Sequence, residues 1–334
     1  MSEIKAILGL RAPLRLSLAG GGTDVEPFAS QMGSKILNFA INLYIEVMFF
    51  NPIQQAKRID VEIIDKYGSK EISSSFTTAI EKYIRQNWLF SKPLSIKIKN
   101  PVRRSSGLGT SSAIMACLVQ GLSMLCEKKL TNDQIIKEAF RAERKEMEIA
   151  GGFQDYFPSI YGGINWIEQE IKDDKWTVSK IRPREEIVNL LNEQMVCIEL
   201  DVKRESLKII QEQIRMSNIK DSRTQQALIR QLDYAEFIKS AVDNGEISQL
   251  MRLLEESYKL KKEYSSLVSN EITVESEKVL LLAGALGIKL SGAGGGGHMF
   301  GFFPNGVPGN FERKLPKFMK RIPCRYEELG CHEI

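Results

Sequence analysis

The stretch KLSGAGGGGHMFGFF, Lys289 to Phe303, sets six glycines, four of them consecutive, between apolar runs. Glycine lacks a Cβ and loses more freedom on ordering than any other residue, so a run of it suits backbone that must turn or lie against something bulky. Gly292-Ala-Gly294-Gly-Gly-Gly297 matches the Gly-x-Gly-x-x-Gly pattern of dinucleotide sites. That fingerprint has to follow the first strand of a βαβ unit and open a helix. Here the following residues, HMFGFF, read as a strand, and the loop lies near the C-terminal end of the chain. The dinucleotide reading fails on context, and the pattern predicts strand, glycine loop, strand.

Working outward, the 334 residues suggest two domains, 1–183 and 184–334, because the texture changes after Pro183 from strand-rich to helix-rich. With 43% hydrophobic and 26% charged residues, the chain has ordinary globular composition. Its 46 basic and 42 acidic residues leave a net charge of +4, too balanced to argue for nucleic acid or a membrane surface as partner. No apolar run reaches bilayer length. The opening MSEIKAILGLRAPLR lacks the apolar stretch and cleavage site of a signal peptide, so a cytoplasmic location is expected. Cys117, Cys126, Cys197, Cys324 and Cys331 form no Cys-x-x-Cys pair and read as reduced thiols. His298 and His332 are the only histidines, which leaves little material for a histidine zinc site or a Ser-His-Asp triad.

Periodicity predicts strands at RAPLRLSLA, ILNFAINLYIEVMFF, LSIKIKN, GGINWIEQE, KWTVSKI and MVCIELD. Helices are predicted over Ser75–Leu89, within SSGLGTSSAIMACLVQGLSMLCE after its opening glycines and serines, from an N-cap at Thr131, and over Leu207–Ser217, Ser222–Asp243, Ile247–Tyr264 and Val274–Leu286. NFERKLPKFMKR and CRYEEL read as a last helix and strand. Strands interleaved with helices on one side imply α+β layers.

Three further segments carry candidate chemistry. SSGLGTSSA, Ser105 to Ala113, puts glycines and hydroxyls just before a helix, where backbone N–H groups and the helix dipole favour an anion. A serine-capped helix start is the plain alternative. No Gly-Lys dipeptide occurs in the chain, so a Walker-type phosphate loop is absent. RAPLRLSLAGGGTDVEPF, Arg11 to Phe28, runs a strand into three glycines and then Thr23 and Asp24, a carboxylate placed to accept from sugar hydroxyls. A hairpin turn with Arg15 as surface charge fits that segment equally. In ERKEMEIAGGFQDYF, Glu143 on a helix and Asp155 beyond Gly151–Gly152 could both reach a cleft, although acidic helix residues are usually solvated.

APLRLSLAGGGTD, SSGLGTSSA and KLSGAGGGG, in this order and spanning nearly the whole chain, resemble the three motifs of the GHMP kinase superfamily. The resemblance implies an N-terminal domain like ribosomal protein S5 domain 2 and a C-terminal α+β domain, ferredoxin-like at its centre. ATP and acceptor would lie between them. It also implies roles for residues. Ser105, Ser106, Gly107, Leu108 and Gly109, with Thr110, Ser111 and Ser112, would wrap the ATP phosphates. Thr110 and Glu143 would hold Mg²⁺. Asp155 would be the base for the acceptor hydroxyl, with Arg15 as its cationic neighbour. Asp24 would bind sugar hydroxyls, and Gly22, Thr23, Gly152, Gly294 and Gly295 would surround the acceptor.

Within the family, GGGTD and GGFQD ahead of YGGIN look most like the branch that phosphorylates the anomeric hydroxyl of D-glycero-D-manno-heptose 7-phosphate. That branch feeds nucleotide-activated heptose into bacterial surface glycans. A kinase of fucose, galactose or glucuronate is the alternative, and a non-catalytic sugar or ATP sensor is the alternative from another class. The expected partners are therefore ATP and a sugar phosphate, and a homodimer is left open. Two departures stand out. Arg103 and Arg104 replace the small residues and proline usual before the loop, as surface charge or as a contact for a substrate phosphate. Tyr156 stands where many relatives carry glutamine.

Overall fold

The computed structural model describes residues 6–51, 59–72, 74–90, 93–103, 105–172, 175–202, 206–220 and 222–334. Arg104 lies outside the described residues. The first layer grows from the apolar strand runs. β1 (Leu8–Ala19) leads through α1 (Phe28–Met32) into the long β2 (Ser34–Phe50), and β1 and β2 pair antiparallel along most of their length. β3 (Ile59–Asp65), β4 (Lys70–Ile72), α2 (Ser75–Asn87) and β5 (Leu94–Asn100) follow. β5 pairs with the distal end of β2, and β3 runs parallel to β5. Next come α3 (Thr110–Leu125), α4 (Asn132–Arg141), a π-helical turn at Ala142–Glu146 and α5 (Tyr156–Tyr161). β6 (Ile164–Gln169) takes the rest of that edge of β2, and β7 (Trp176–Ile181) pairs with β6.

α6 (Glu185–Glu193) leads to the second sheet, which begins with β8 (Met195–Leu200). Four helices intervene: α7 (Ser206–Ser217), α8 (Arg223–Asn244), α9 (Ile247–Lys261) and α10 (Glu271–Leu282). Then follow β9 (Gly287–Leu290), β10 (His298–Phe302) and β11 (Met319–Ile322), so the glycine stretch is indeed a loop between two strands. The sheet order is β11-β8-β10-β9, antiparallel throughout, which is the strand order of a ferredoxin-like sheet. A single 3₁₀ turn, Glu312–Lys314, occupies the second crossover where a helix was expected. Pro316 explains the difference, since proline lacks an N–H and disfavours helix in the residue before it. CRYEEL forms no strand either; Tyr326 makes one bridge to Ile41. The tail instead returns to the first sheet, where β12 (His332–Glu333) pairs with β1.

Local chemistry sets the elements that carry the site. Thr131 caps α4 in a reciprocal capping box with Gln134, as its position predicts. α3 is built from small and apolar residues and packs against β1 and β2. A Cβ at Gly121 would come 2.4 Å from the Phe49 ring, so this glycine sets how deeply the helix sits. Forcing a side chain into such a contact costs about 1–3 kcal/mol. All five cysteines are free. Among the described residues, no helix is long and apolar enough to cross a membrane.

Candidate functional site

A cleft of about 540 Å³ opens between the two sheets, walled by the β1–α1 loop, the segment before α3, the loop before α5, and the second sheet with its helices. Its floor is the glycine loop ahead of α3. Ser105, Gly107 and Gly109 take left-handed backbone, at φ 57°, 83° and 78°. Left-handed residues at alternate positions curl the chain into a concavity of N–H groups that suits an anion. Gly109 caps α3 without a side-chain bond, which leaves the first-turn N–H groups to a ligand.

The carbonyls of this loop are tied down on the other side. Arg15 Nη1 donates to Gly107 O at 2.6 Å, and Ser291 Oγ donates to the same oxygen at 2.7 Å. The backbone N–H of Arg15 reaches Leu108 O at 3.2 Å. His298 Nδ1 lies 3.0 Å from Ser106 O. Ser105, Gly107, Gly109, Thr110, Ser111 and Ser112 line the cleft, whereas Leu108 turns into the core and Ser106 caps Leu108 N–H from below.

Asp155 stands against this loop. Its carboxyl group lies 3.2 Å from the position a Cβ on Gly109 would take, so a side chain there would press on Asp155, and the φ of 78° itself favours glycine. Arg15 grips Asp155 Oδ1 through Nε at 2.7 Å and Nη2 at 2.6 Å. Asp24, only 2% exposed, lies alongside. It accepts from Gly22 N–H at 3.1 Å, Gln154 N–H at 3.1 Å and Gln154 Nε2 at 3.0 Å. Burial pushes its carboxyl pKa up and the neighbouring Asp155 adds to this, while the bonds from Gln154 and Gly22 oppose it. Gly152 is required here, because a Cβ would fall 1.8 Å from Asp24 Oδ2.

Glu143 leaves the end of α4 on the π-helical turn, a distortion frequent at functional sites, and is 1% exposed. It accepts from Ser111 Oγ at 2.6 Å and Ser112 Oγ at 3.0 Å, and Tyr156 OH donates to it as well. Thr110, expected with Glu143 to hold Mg²⁺, lines the cleft at the start of α3. Each helical residue turns about 100° from the last, and it is Ser111 and Ser112 that face Glu143. Burial pushes the Tyr156 hydroxyl pKa well up and the Glu143 charge adds to it, so this phenol stays a donor. Carboxylate and hydroxyl oxygens are the hard donors Mg²⁺ takes, and that ion is commonly held by one or two carboxylates plus substrate phosphates. Among the described residues no cluster of three or more His, Cys, Asp or Glu could hold a metal alone. The oxygen set at Glu143 therefore fits Mg²⁺ carried in with a phosphate.

The acceptor side departs from expectation in three places. Thr23 is fully buried and donates to Gly20 O at 2.8 Å, away from the cleft. Gly294 packs on Val268, where a Cβ would meet Cα at 2.9 Å, and Gly295 N–H bonds Val268 O at 2.8 Å. Within the loop, Ser291, Gly292 and Ala293 face the cleft. Gly22 does line it, with Tyr264 OH donating to Gly21 O at 3.1 Å and Gln213 Nε2 donating to Gly22 O at 2.9 Å. Those two side chains, and the apolar lining residues Ile63, Phe76 and Ile114, carried no motif that would have singled them out. Lys289 also lines the cleft; burial pushes its ammonium pKa down to about 8, and it donates to Ser257 Oγ at 3.0 Å. Arg103 points elsewhere, pairing with Asp201 at 2.8 Å with both side chains largely exposed.

Residues 74–163 match the GHMP kinases N terminal domain, and residues 236–321 match the GHMP kinases C terminal domain. The chain is 29% identical over 309 residues to the D-glycero-alpha-D-manno-heptose 7-phosphate kinase of Campylobacter jejuni, covering 87% of this chain and 88% of that protein. It is 25% identical over 314 residues to a bifunctional fucokinase/GDP-fucose pyrophosphorylase of Arabidopsis thaliana, covering 85% of this chain and 29% of that protein. A solved structure of a D-glycero-D-manno-heptose 1-phosphate kinase from Bacteroides thetaiotaomicron shares the fold, with TM-score 0.73, 24% identity, and 98% and 99% of the two chains covered.

Proposed function

The chain belongs to the GHMP kinase family, and from that premise we propose that it transfers the γ-phosphoryl group of ATP to the anomeric hydroxyl of D-glycero-D-manno-heptose 7-phosphate, giving the 1,7-bisphosphate. The observation that carries the chemistry is the placement of the Asp155 carboxylate, gripped by Arg15, directly against Gly109 of the glycine loop. A base there lies where a hydroxyl must sit to attack a phosphate cradled by the loop. The heptose acceptor is supported by the Campylobacter jejuni relative.

Phosphoryl transfer needs in-line placement and charge neutralisation more than covalent help from the protein. The Ser105–Thr110 backbone and the N-terminus of α3 bind the ATP phosphates. The apolar lining residues Ile63, Phe76 and Ile114 suit the adenine ring of ATP. Asp24 accepts hydrogen bonds from the sugar, orienting its anomeric hydroxyl toward Asp155. Asp155 takes the hydroxyl proton as the sugar oxygen bonds to the γ-phosphorus and the bond to the bridging oxygen breaks, releasing ADP. Arg15 stays in place through Gly107 O and Ser291 Oγ, so the base is held while the proton moves. Glu143 with Ser111 would hold Mg²⁺, which when bound neutralises phosphate charge.

A coupled ADP-release assay with heptose 7-phosphate, fucose, galactose and glucuronate tests the proposal. Preference for the phosphorylated heptose is expected. Preference for an unphosphorylated sugar assigns the protein to another branch, and binding of ATP and sugar without turnover makes it a sensor.

A further inference from the structure

Three consecutive carbonyls of the glycine loop are held from behind: Ser106 by His298, Gly107 by Arg15 and Ser291, and Leu108 by the Arg15 backbone. Arg15 and Ser291 line the cleft, whereas His298 lies outside it. His298 follows Gly297 directly, opens β10, and is 1% exposed. A carbonyl oxygen only accepts, so Nδ1 carries the proton in its contact with Ser106 O.

The C=O of one residue and the N–H of the next share a rigid plane and point opposite ways. Fixing the Ser106 carbonyl outward therefore aims the Gly107 N–H inward. Glu199 is the cross-strand neighbour of His298 on β8 and is itself anchored from the other half of the chain. Lys66 Nζ reaches it at 2.8 Å and Tyr67 OH at 3.0 Å, both from the β3–β4 turn. Arg103, just ahead of the loop, lies over the Tyr67 ring at 4.8 Å.

We infer that His298 is a positioning residue for nucleotide binding: with Glu199 beside it, latched by Lys66 and Tyr67, it holds the Ser106 peptide so that the loop amides face the ATP phosphates. This rests on reading SSGLGTSSA as the nucleotide loop. The histidine touches no substrate itself. Its effect is expected in nucleotide affinity, and a side chain that keeps a donor near the Nδ1 position should restore it.

Titration of full-length protein with mant-ATP and Mg²⁺, alongside thermal melts, tests this with His298→Phe, His298→Asn and Glu199→Gln. Phe fills the space without a donor, and the Asn amide places an N–H close to that of Nδ1. The expected result is an approximately tenfold rise in Kd for His298→Phe (about 1.4 kcal/mol), with His298→Asn within about threefold of wild type. Wild-type Kd in folded His298→Phe overturns the inference, as does equal weakening in both His298 variants. If His298→Phe does not fold, Glu199→Gln takes its place, with a raised Kd expected and an unchanged Kd overturning the inference. Wild-type protein that fails to bind mant-ATP overturns the nucleotide-loop reading instead.

Discussion

Arg15 holds Asp155 through two guanidinium nitrogens on one carboxylate oxygen, while its third nitrogen donates to the carbonyl of Gly107. One side chain thus locks the base to the loop on which the phosphates are expected. Replacing Asp155 by Asn keeps the size and removes the base. Asp155→Asn should fold normally and lose about a hundredfold or more in kcat, read by steady-state kinetics with melting as control. Arg15→Lys keeps the charge but not the planar fork, so it should also lose kcat, by about tenfold or more.

The hydroxyls facing Glu143 are those of Ser111 and Ser112. Ser111→Ala and Glu143→Gln should therefore raise the Mg²⁺ concentration needed for half-maximal rate, by about tenfold or more for the carboxylate change. Thr110→Val should move it less. A Mg²⁺ titration of initial rates at saturating ATP ranks the three.

Gly152 and Asp24 are in such close approach that a methyl group cannot fit between them. Gly152→Ala should displace the Asp24 carboxylate and raise the KM for the sugar more than about tenfold, with the KM for ATP changed less than about threefold. Equal effects on both substrates would detach Asp24 from the acceptor.

Asp24 also gives a pH dependence. Its folded-state pKa is raised above the ordinary 3.8, chiefly by burial and then by Asp155. The folded protein thus binds more protons than the unfolded chain above that value, so the Asp24 contribution to stability falls as pH rises through the window from 3.8 upward. Asp24→Asn cannot ionise. The Tm of wild type should therefore decline relative to Asp24→Asn between acidic and neutral pH, a difference that differential scanning fluorimetry measures directly.

Gly294 combines φ of +118° with a Cβ position 2.9 Å from the backbone of Val268. Gly294→Val should destabilise the fold by about 2 kcal/mol or more, visible as a Tm lower by several degrees. The KM values of the folded fraction should stay near wild type.

That last expectation reverses what the sequence suggests, and the reason shows what was legible. A glycine-rich stretch announces close approach but not to what; Gly292 faces the cleft, while Gly294 faces Val268. Long strands with clear periodicity, such as β1 and β2, and helices with caps, such as α4, were readable because their signals are local. The return of β12 to β1 and the contact of His298 with Ser106 join distant segments, and no local pattern marks them. Arg15, Asp24, Glu143 and Asp155 could be singled out because they sit inside dense motifs, and the fold brings all four to one cleft. Tyr156 was visible only as an oddity. Its bond to Glu143 shows why a phenol can stand there.

The most direct test is to incubate the purified protein with ATP, Mg²⁺ and D-glycero-D-manno-heptose 7-phosphate and follow the products by ³¹P NMR and mass spectrometry. One added phosphoryl group on the anomeric oxygen is predicted, with kcat/KM at least about a hundredfold above that for fucose or galactose. No phosphorylation of the heptose 7-phosphate, with ready phosphorylation of an unphosphorylated sugar, would contradict it.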